Sequence, residues 1–555
     1  MRPITRSIIL ALFLGALLAP AAHASPLQTS IMMDDDLLLY KNDATAARAL
    51  TQMKSLGVDT IRVTVLWSVV ANNARPTKAE IAKLKGKAKD KARKQAQRFK
   101  ATNPSTYPKQ NWDRYDNLIK AAQDRGIRVY FNVTGPGPLW ASTTPPKGLK
   151  VPIGTYKPKV GAFKQFVTAV GTRYSGTYQD ENGSRGTLPR VSMWSLWNEP
   201  NQGGWLTPQW EQRGGQTVPA SPAIYRKLYQ AGYQGLVASG HRVDNDVILL
   251  GETAPLGNDA QTAKSPMRPK QFLRELFCVG PDGNPYSGAA AAARDCGDFA
   301  SKGPLRATGY AHHPYTKNVS PLVPDANPDA LTMANITDLG TTLDDLAAKT
   351  NDLPSGLPLF MTEFGFETNP PDPFSGIAPA LQAKYNVLGE FQAYSNPRIA
   401  SQAQFLLADV PPIRTRKKGS KGYWFTYQSG LFFTAGKLIG TAKPAAYSYA
   451  MPFLATPIAI DPATGNPTFS FWGQLRLLPN GLPGAAATIQ FRPKDGSLDW
   501  TAVGPPIAID PATDPMGYYT ATATAPVIGP VEWRAAVINP ADGSLISSSP
   551  GTDGT

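Results

Sequence analysis

Short apolar runs alternate with amphipathic stretches along most of the chain. The runs at 29–33, 60–67, 127–133, 191–197 and 247–250 have the length and apolar content of buried strands. Those at 307–311, near Leu359 and at 402–408 continue the series. Between them, apolar positions recur with helical spacing at 43–56, 112–125, 163–174, 224–236, 272–277, 339–348 and 381–394, and 443–451 closes the set. Start and stop signals sharpen two of these helices. Asp43 is the expected cap of the first, and Gly57 and Gly126 end the first and second. Eight strand–helix units in strict alternation predict a (β/α)₈ barrel in preference to a doubly wound open sheet.

Beyond 452 the helical period disappears. Alternating runs at 474–477, 488–492, 500–503, 518–522 and 532–537, separated by turn residues, predict an Ig-like β-sandwich of about 100 residues. A local echo, Pro-Ile-Ala-Ile-Asp-Pro-Ala-Thr, occurs at 457–464 and again at 506–513 and reads as two equivalent strand–turn corners. The expected organisation is a leader at 1–24, a barrel at 25–452 and a sandwich at 453–555.

The leader has its own pattern. Arg2 and Arg6 precede an apolar stretch at 8–18, and Ala22-His23-Ala24 has the small-x-small form of a cleavage site. The stretch is short for a membrane span. The expectation is a secreted, extracellular protein with no membrane anchor. In that setting the two cysteines, Cys278 and Cys296, have one possible intramolecular pairing and are expected to form a disulfide. Three histidines remain after the leader, so a His- or Cys-rich metal site is disfavoured and no cofactor is expected. Neither a Gly-x-Ser-x-Gly elbow nor a P-loop occurs. Chemistry must rest on carboxylates.

Two carboxylates stand out. Glu199 follows the fourth strand in Trp-Asn-Glu-Pro at 197–200, and Glu363 follows the seventh in Thr-Glu-Phe-Gly at 362–365. A carboxylate at the end of a buried strand is costly unless paired or used. The C-terminal ends of parallel barrel strands carry catalytic groups. Two glutamates there suit cleavage of a glycosidic bond. Glu252, after the fifth strand, reads as a bystander.

At this point the chain resembles the clan A glycoside hydrolases, retaining enzymes on (β/α)₈ barrels, and looks most like families 39 and 5. The resemblance covers residues 29–452. It implies Glu199 as the acid/base and Glu363 as the nucleophile. It also implies Arg62 beside the nucleophile, Asn198 on the sugar 2-hydroxyl, and His313 and Tyr315 touching substrate and nucleophile. The clan often places a Trp on strand eight; here that strand offers Gln and Phe, so Trp140 and Trp424 are the expected stacking platforms. The rival reading is a non-catalytic carbohydrate-binding or cell-surface protein on a degenerate barrel.

The net charge of +15 is largely local. Residues 75–100 carry eleven Lys/Arg against Glu80 and Asp90, within a basic insertion at about 72–105 after strand two. Thr77 and Glu80 form an expected capping box there. A second basic stretch, with Arg414, Arg416, Lys417 and Lys418, follows strand eight. By barrel logic both flank the loop at Asp34, Asp35 and Asp36. The expected partner is a carbohydrate, with the basic rim favouring an anionic one, and not nucleic acid.

Overall fold

The computed structural model of the chain describes residues 25, 27–182, 186–436, 438–476, 486–509, 514–539 and 543–553. The expected leader lies outside them. Eight parallel strands, β1 (Thr29–Met33), β2 (Thr60–Leu66), β3 (Arg128–Thr134), β4 (Met193–Leu196), β5 (Val247–Thr253), β6 (Gly309–His312), β7 (Leu359–Met361) and β8 (Ile399–Phe405), close a barrel in sequential order. β1 completes the ring by pairing with both β8 and β2. The barrel helices are α1 (Asp43–Ser55), α2 (Lys109–Gln123), α3 (Val160–Arg173), α4 (Ser221–Ala238), α5 (Pro269–Leu276), α6 (Thr337–Thr350), α7 (Pro379–Tyr394) and α8 (Pro444–Ala450). Asn42, not Asp43, caps α1, accepting from the Thr45 amide. None of the described helices is long and apolar enough to cross a membrane.

Both faces of the strands are buried, and period-two alternation sorts their side chains between helices and barrel interior. On β2, Ile61, Val63 and Val65 point outward into the large core between strands and helices, leaving Arg62 and Thr64 for the interior. The barrel interior packs Ile31, Tyr130, Leu249, Ala311 and Ala403 in a separate cluster. Asp34 fastens the seam: its carboxylate accepts from Leu37 at 3.0 Å, and from Leu407 and Ala408 at 3.1 Å each.

The C-terminal strands form two antiparallel sheets. One comprises Phe453–Ile460, Pro467–Gln474 and Tyr518–Thr524; the other is built on Ala486–Pro493 and Val531–Ile538, with Thr501–Ala502, Ile507–Ala508 and Leu545–Ser548. Phe471, Ile489, Phe491 and Trp533 pack between them. The first two strands were not predicted. The run expected at 474–477 is instead the end of a strand, with residue 477 outside the described residues. So are residues 510–513 of the second echo; its Ile507–Ala508 is a strand, as the first echo's start is.

The sandwich docks on α7. Glu390 on that helix pairs with Arg476 at 2.6 Å, both buried, and Phe391 and Tyr394 pack against Trp472. Cys278 and Cys296 form a disulfide, their Cα atoms 5.9 Å apart. It ties the end of α5 to the helix Cys296–Lys302, and neither cysteine lines the catalytic cleft. Buried Arg226 reinforces this loop by donating to the carbonyls of Leu276 and Arg294, at 2.6 and 2.7 Å.

Candidate active site

The C-terminal ends of the strands open into a cleft of about 630 Å³. Glu199, Glu363, Asn198 and Tyr315 line it. Glu199 follows β4 through two residues in the left-handed region, Trp197 at φ 77° and Glu199 itself at φ 38°. Non-glycine residues are uncommon there, and such strain clusters at functional sites. The Asn198 amide donates to Thr134 Oγ1 and the Glu199 amide to the Glu252 carbonyl, both at 2.9 Å, which holds the turn between its neighbouring strands.

The two carboxylates converge. One oxygen of each, with a nitrogen of His313, lies in a set whose members are all within 4.8 Å of one another. Arg62 crosses the barrel floor beneath them. Its Nη1 donates to Glu363 at 2.9 Å, and its Nη2 to Asn198 Oδ1 at 2.7 Å and to Glu252 at 2.9 Å. The Tyr315 hydroxyl donates to the other oxygen of Glu363 at 3.1 Å.

His313 does not reach the cleft surface as expected. It is fully buried behind the carboxylates. Its Nδ1 lies 3.0 Å from Glu199 and 3.6 Å from Glu363, and its Nε2 lies 2.6 Å from Glu252. Burial alone would lower its pKa, but Glu363, Glu199 and Glu252 together raise it to about 10. Both ring nitrogens face carboxylate oxygens, a setting that favours the protonated ring. Both His313 nitrogens are engaged by carboxylates, so Glu199, His313 and Glu363 form one hydrogen-bonded cluster with Glu252.

Glu252 is the residue that sequence reasoning misjudged. It is no bystander but the fully buried anchor of the cluster. Besides Arg62 and His313 it accepts from Thr362 at 3.0 Å, from Ser195 at 2.7 Å and from Tyr130. Burial pushes its pKa up, yet Arg62 and His313 outweigh that and hold it well below the usual carboxylate range. On a regular strand Glu252 would face the helices, as Ile248 and Leu250 do. A register shift between Gly251 and Thr253, with Glu252 at φ 53°, turns it inward.

Opposite charges alternate through the cluster: Arg62 bridges Glu252 and Glu363, and His313 lies between Glu252 and the pair. Burial pushes the Glu363 pKa up against the pull of His313 and Arg62, while Glu199 and Glu252 add to the rise.

Neither predicted platform lies over the carboxylates. Trp140 packs beneath the insertion against Trp67 and Phe99, their ring centroids 6.1 and 5.4 Å away, with Arg75 over its face. Trp424 lines a smaller recess with Lys421 and Phe425, beside the cleft and sharing Glu367, Phe374, Ser375 and Tyr427 with it. The cleft aromatics are Tyr40, Trp205, Tyr315, Phe374, Phe405 and Tyr427. Phe405, at the end of β8, holds the strand-eight position and meets Tyr427 edge-on at 5.2 Å. The charged lining is mostly acidic: Asp35 and Glu367 join the two glutamates, against Lys317. Burial raises Asp35 to about 6 and Glu367 to about 7. The insertion's cations do not line this cleft.

The sequence profile of the family described as Cellulase (glycosyl hydrolase family 5) matches residues 22–385, more than half of the chain. No curated protein matches the chain. Among solved structures, a family 39 glycoside hydrolase from Bacteroides cellulosilyticus WH2 is 11% identical. That match covers 91% of this chain and 82% of the other, with a TM-score of 0.44. A glucosidase from Croceicoccus marinus is 11% identical over 92% and 95% of the two chains, at a TM-score of 0.44. A β-glucosidase from Thermotoga maritima is 11% identical over 76% and 96%, at 0.45.

Proposed function

Because the chain belongs to the cellulase family, glycosyl hydrolase family 5, and is a glycosidase of clan A, we propose that it hydrolyses β-linked O-glycosides by double displacement. In this reading Glu363 is the nucleophile and Glu199 the acid/base. The observation that carries it is the approach of the two carboxylates, with an oxygen of each in the 4.8 Å set around His313. That spacing suits direct attack and leaves little room for the water of an inverting pair.

The first step forms a bond from a Glu363 oxygen to the anomeric carbon. The bond to the leaving oxygen breaks as that oxygen takes the Glu199 proton. Arg62 and Tyr315 orient the attacking carboxylate. In the second step Glu199, now a carboxylate, takes a proton from water. The resulting hydroxide attacks the anomeric carbon and releases Glu363, so configuration is retained. His313 holds Glu199 in reach of both steps. Asn198, its Oδ1 fixed by Arg62, is the proposed partner of the sugar 2-hydroxyl.

The lining acids favour a neutral sugar in the cleft. The basic and apolar leader, with a disulfide that suits an oxidising compartment, supports export. Proton NMR of the first-formed anomer tests the reaction, with retention expected. Glu363→Ala should abolish turnover and regain it with azide, giving the inverted glycosyl azide. Glu199→Ala should lose about 10²–10⁴-fold on substrates with poor leaving groups and far less on activated ones. An inverted hydrolysis product, or an inverted azide product from Glu199→Ala, overturns the assignment.

A further inference from the structure

The basic insertion builds a cavity of its own. A groove of about 850 Å³ runs between the helix Gly86–Arg98 and the segment at 104–108, and it shares no residue with the catalytic cleft. Lys87, Lys91, Lys94 and Arg98 line one wall. These positions fall within about a 60° arc of one helix face and span roughly 16 Å along its axis. The cations thus form a single file, spaced at about the length of a hexose unit. All four side chains are exposed, and among the described residues none has a carboxylate partner. Asp90, also on the wall, pairs with Arg93 at 3.9 Å.

The groove is held in shape. Gln95 donates to the carbonyls of Asn73 and Ala74 at 2.6 and 3.3 Å, Ala92 is buried, and Phe99 packs against Tyr107 and Trp140. The facing wall presents Asn73, Ser105 and Thr106, which are neutral hydrogen-bonding groups. It offers no exposed aromatic face for stacking bases, the usual platform of single-stranded nucleic acid. The Tyr107 ring is buried.

We propose that this groove is a second, non-catalytic binding site for a carboxylate-bearing polysaccharide, an extended polyuronate whose charges run along the Lys/Arg file. The choice of polysaccharide rests on the glycosidase reading; the preference for an anionic chain rests on the groove alone. The file would hold a charged polymer on a molecule whose separate cleft favours neutral sugar. Chains carrying both kinds of residue fit this division of labour.

The test uses the full-length protein and polygalacturonate in affinity electrophoresis and calorimetry, with hydroxyethylcellulose as the neutral control. One variant carries Lys87→Gln, Lys91→Gln, Lys94→Gln and Arg98→Gln. A second removes the same charge from the other basic stretch, through Arg414→Gln, Arg416→Gln, Lys417→Gln and Lys418→Gln. Polygalacturonate binding should weaken with added salt, fall about tenfold or more in the first variant and change less than twofold in the second. No binding, equal losses in both variants, or tighter binding of single-stranded DNA would overturn the proposal. Turnover of a small neutral aryl glycoside is read separately. Its absence with binding intact would count against the proposed reaction and leave the groove standing.

Discussion

At the residue scale, one buried imidazolium organises the site. His313 touches Glu199 and Glu252 and lies near Glu363. Its positive charge pulls the Glu363 pKa down against burial. Removing that charge in His313→Gln lets the pKa rise further. The acid limb of kcat/KM, where Glu363 must lose its proton, should therefore move to higher pH, with a rate loss of about 10²-fold from lost positioning. Glu252→Gln should act one step earlier. It removes part of the field that holds His313 at about 10, so the imidazole titration followed by NMR should move down. An unmoved acid limb, or an unmoved His313 titration, would reduce these contacts to packing. The sequence displayed Glu199 and Glu363 because each ends an apolar strand. It concealed Glu252, whose inward direction comes from a bulge and a left-handed backbone that no period-two pattern encodes. Arg62 was placed by the resemblance to clan A, and the alternation of Ile61, Val63 and Val65 around it explains why it reaches the interior.

At the scale of elements, the barrel strands were legible to within a few residues, since strands buried on both faces read as apolar runs. The sandwich was less so. Phe453–Ile460 and Pro467–Gln474 carry prolines and exposed isoleucines that blur alternation. The tryptophans show another limit: an aromatic on a loop can pack or serve as a platform, and half-buried Trp140 packs against the core. The disulfide was readable by counting. Its contribution is open to measurement. Closing an 18-residue separation should stabilise the fold by about 3 kcal/mol in the chain-entropy view. The double variant Cys278→Ser, Cys296→Ser should lose about that much in urea denaturation while keeping its rate at 25 °C, because neither cysteine lines the cleft. A cost near zero would mean that Arg226 alone holds the loop.

At the scale of the whole molecule, barrel and sandwich share a seam. Gly57, at φ 82°, ends α1 where an added Cβ would lie 2.8 Å from the Arg476 Cβ. The Arg476–Glu390 pair, Trp472 and Tyr518 complete the contact. Glu390→Ala would strand a buried guanidinium at a cost of about 3–5 kcal/mol. Calorimetry of the unaltered protein should then show one transition, and that of the variant two, with the sandwich melting first. Two transitions in the unaltered protein would mean that the seam does not couple the parts.

α7 faces two ways. Gln382 on it donates to the carbonyls of Phe366, Ser429 and Gly430, at 2.9, 3.2 and 3.3 Å, and Ser429 lines the cleft. Glu390, Phe391 and Tyr394 on the same helix carry the sandwich. An appended module is commonly free to be traded between genes when a flexible tether joins it to its enzyme. Here two residues join α8 to the sandwich, which docks on a helix whose other end frames the catalytic mouth. Shuffling the sandwich for an unrelated domain would leave Phe391 and Tyr394 bare on the helix that braces the mouth. A barrel parted from its sandwich would thus need new polar cover for the outer end of α7.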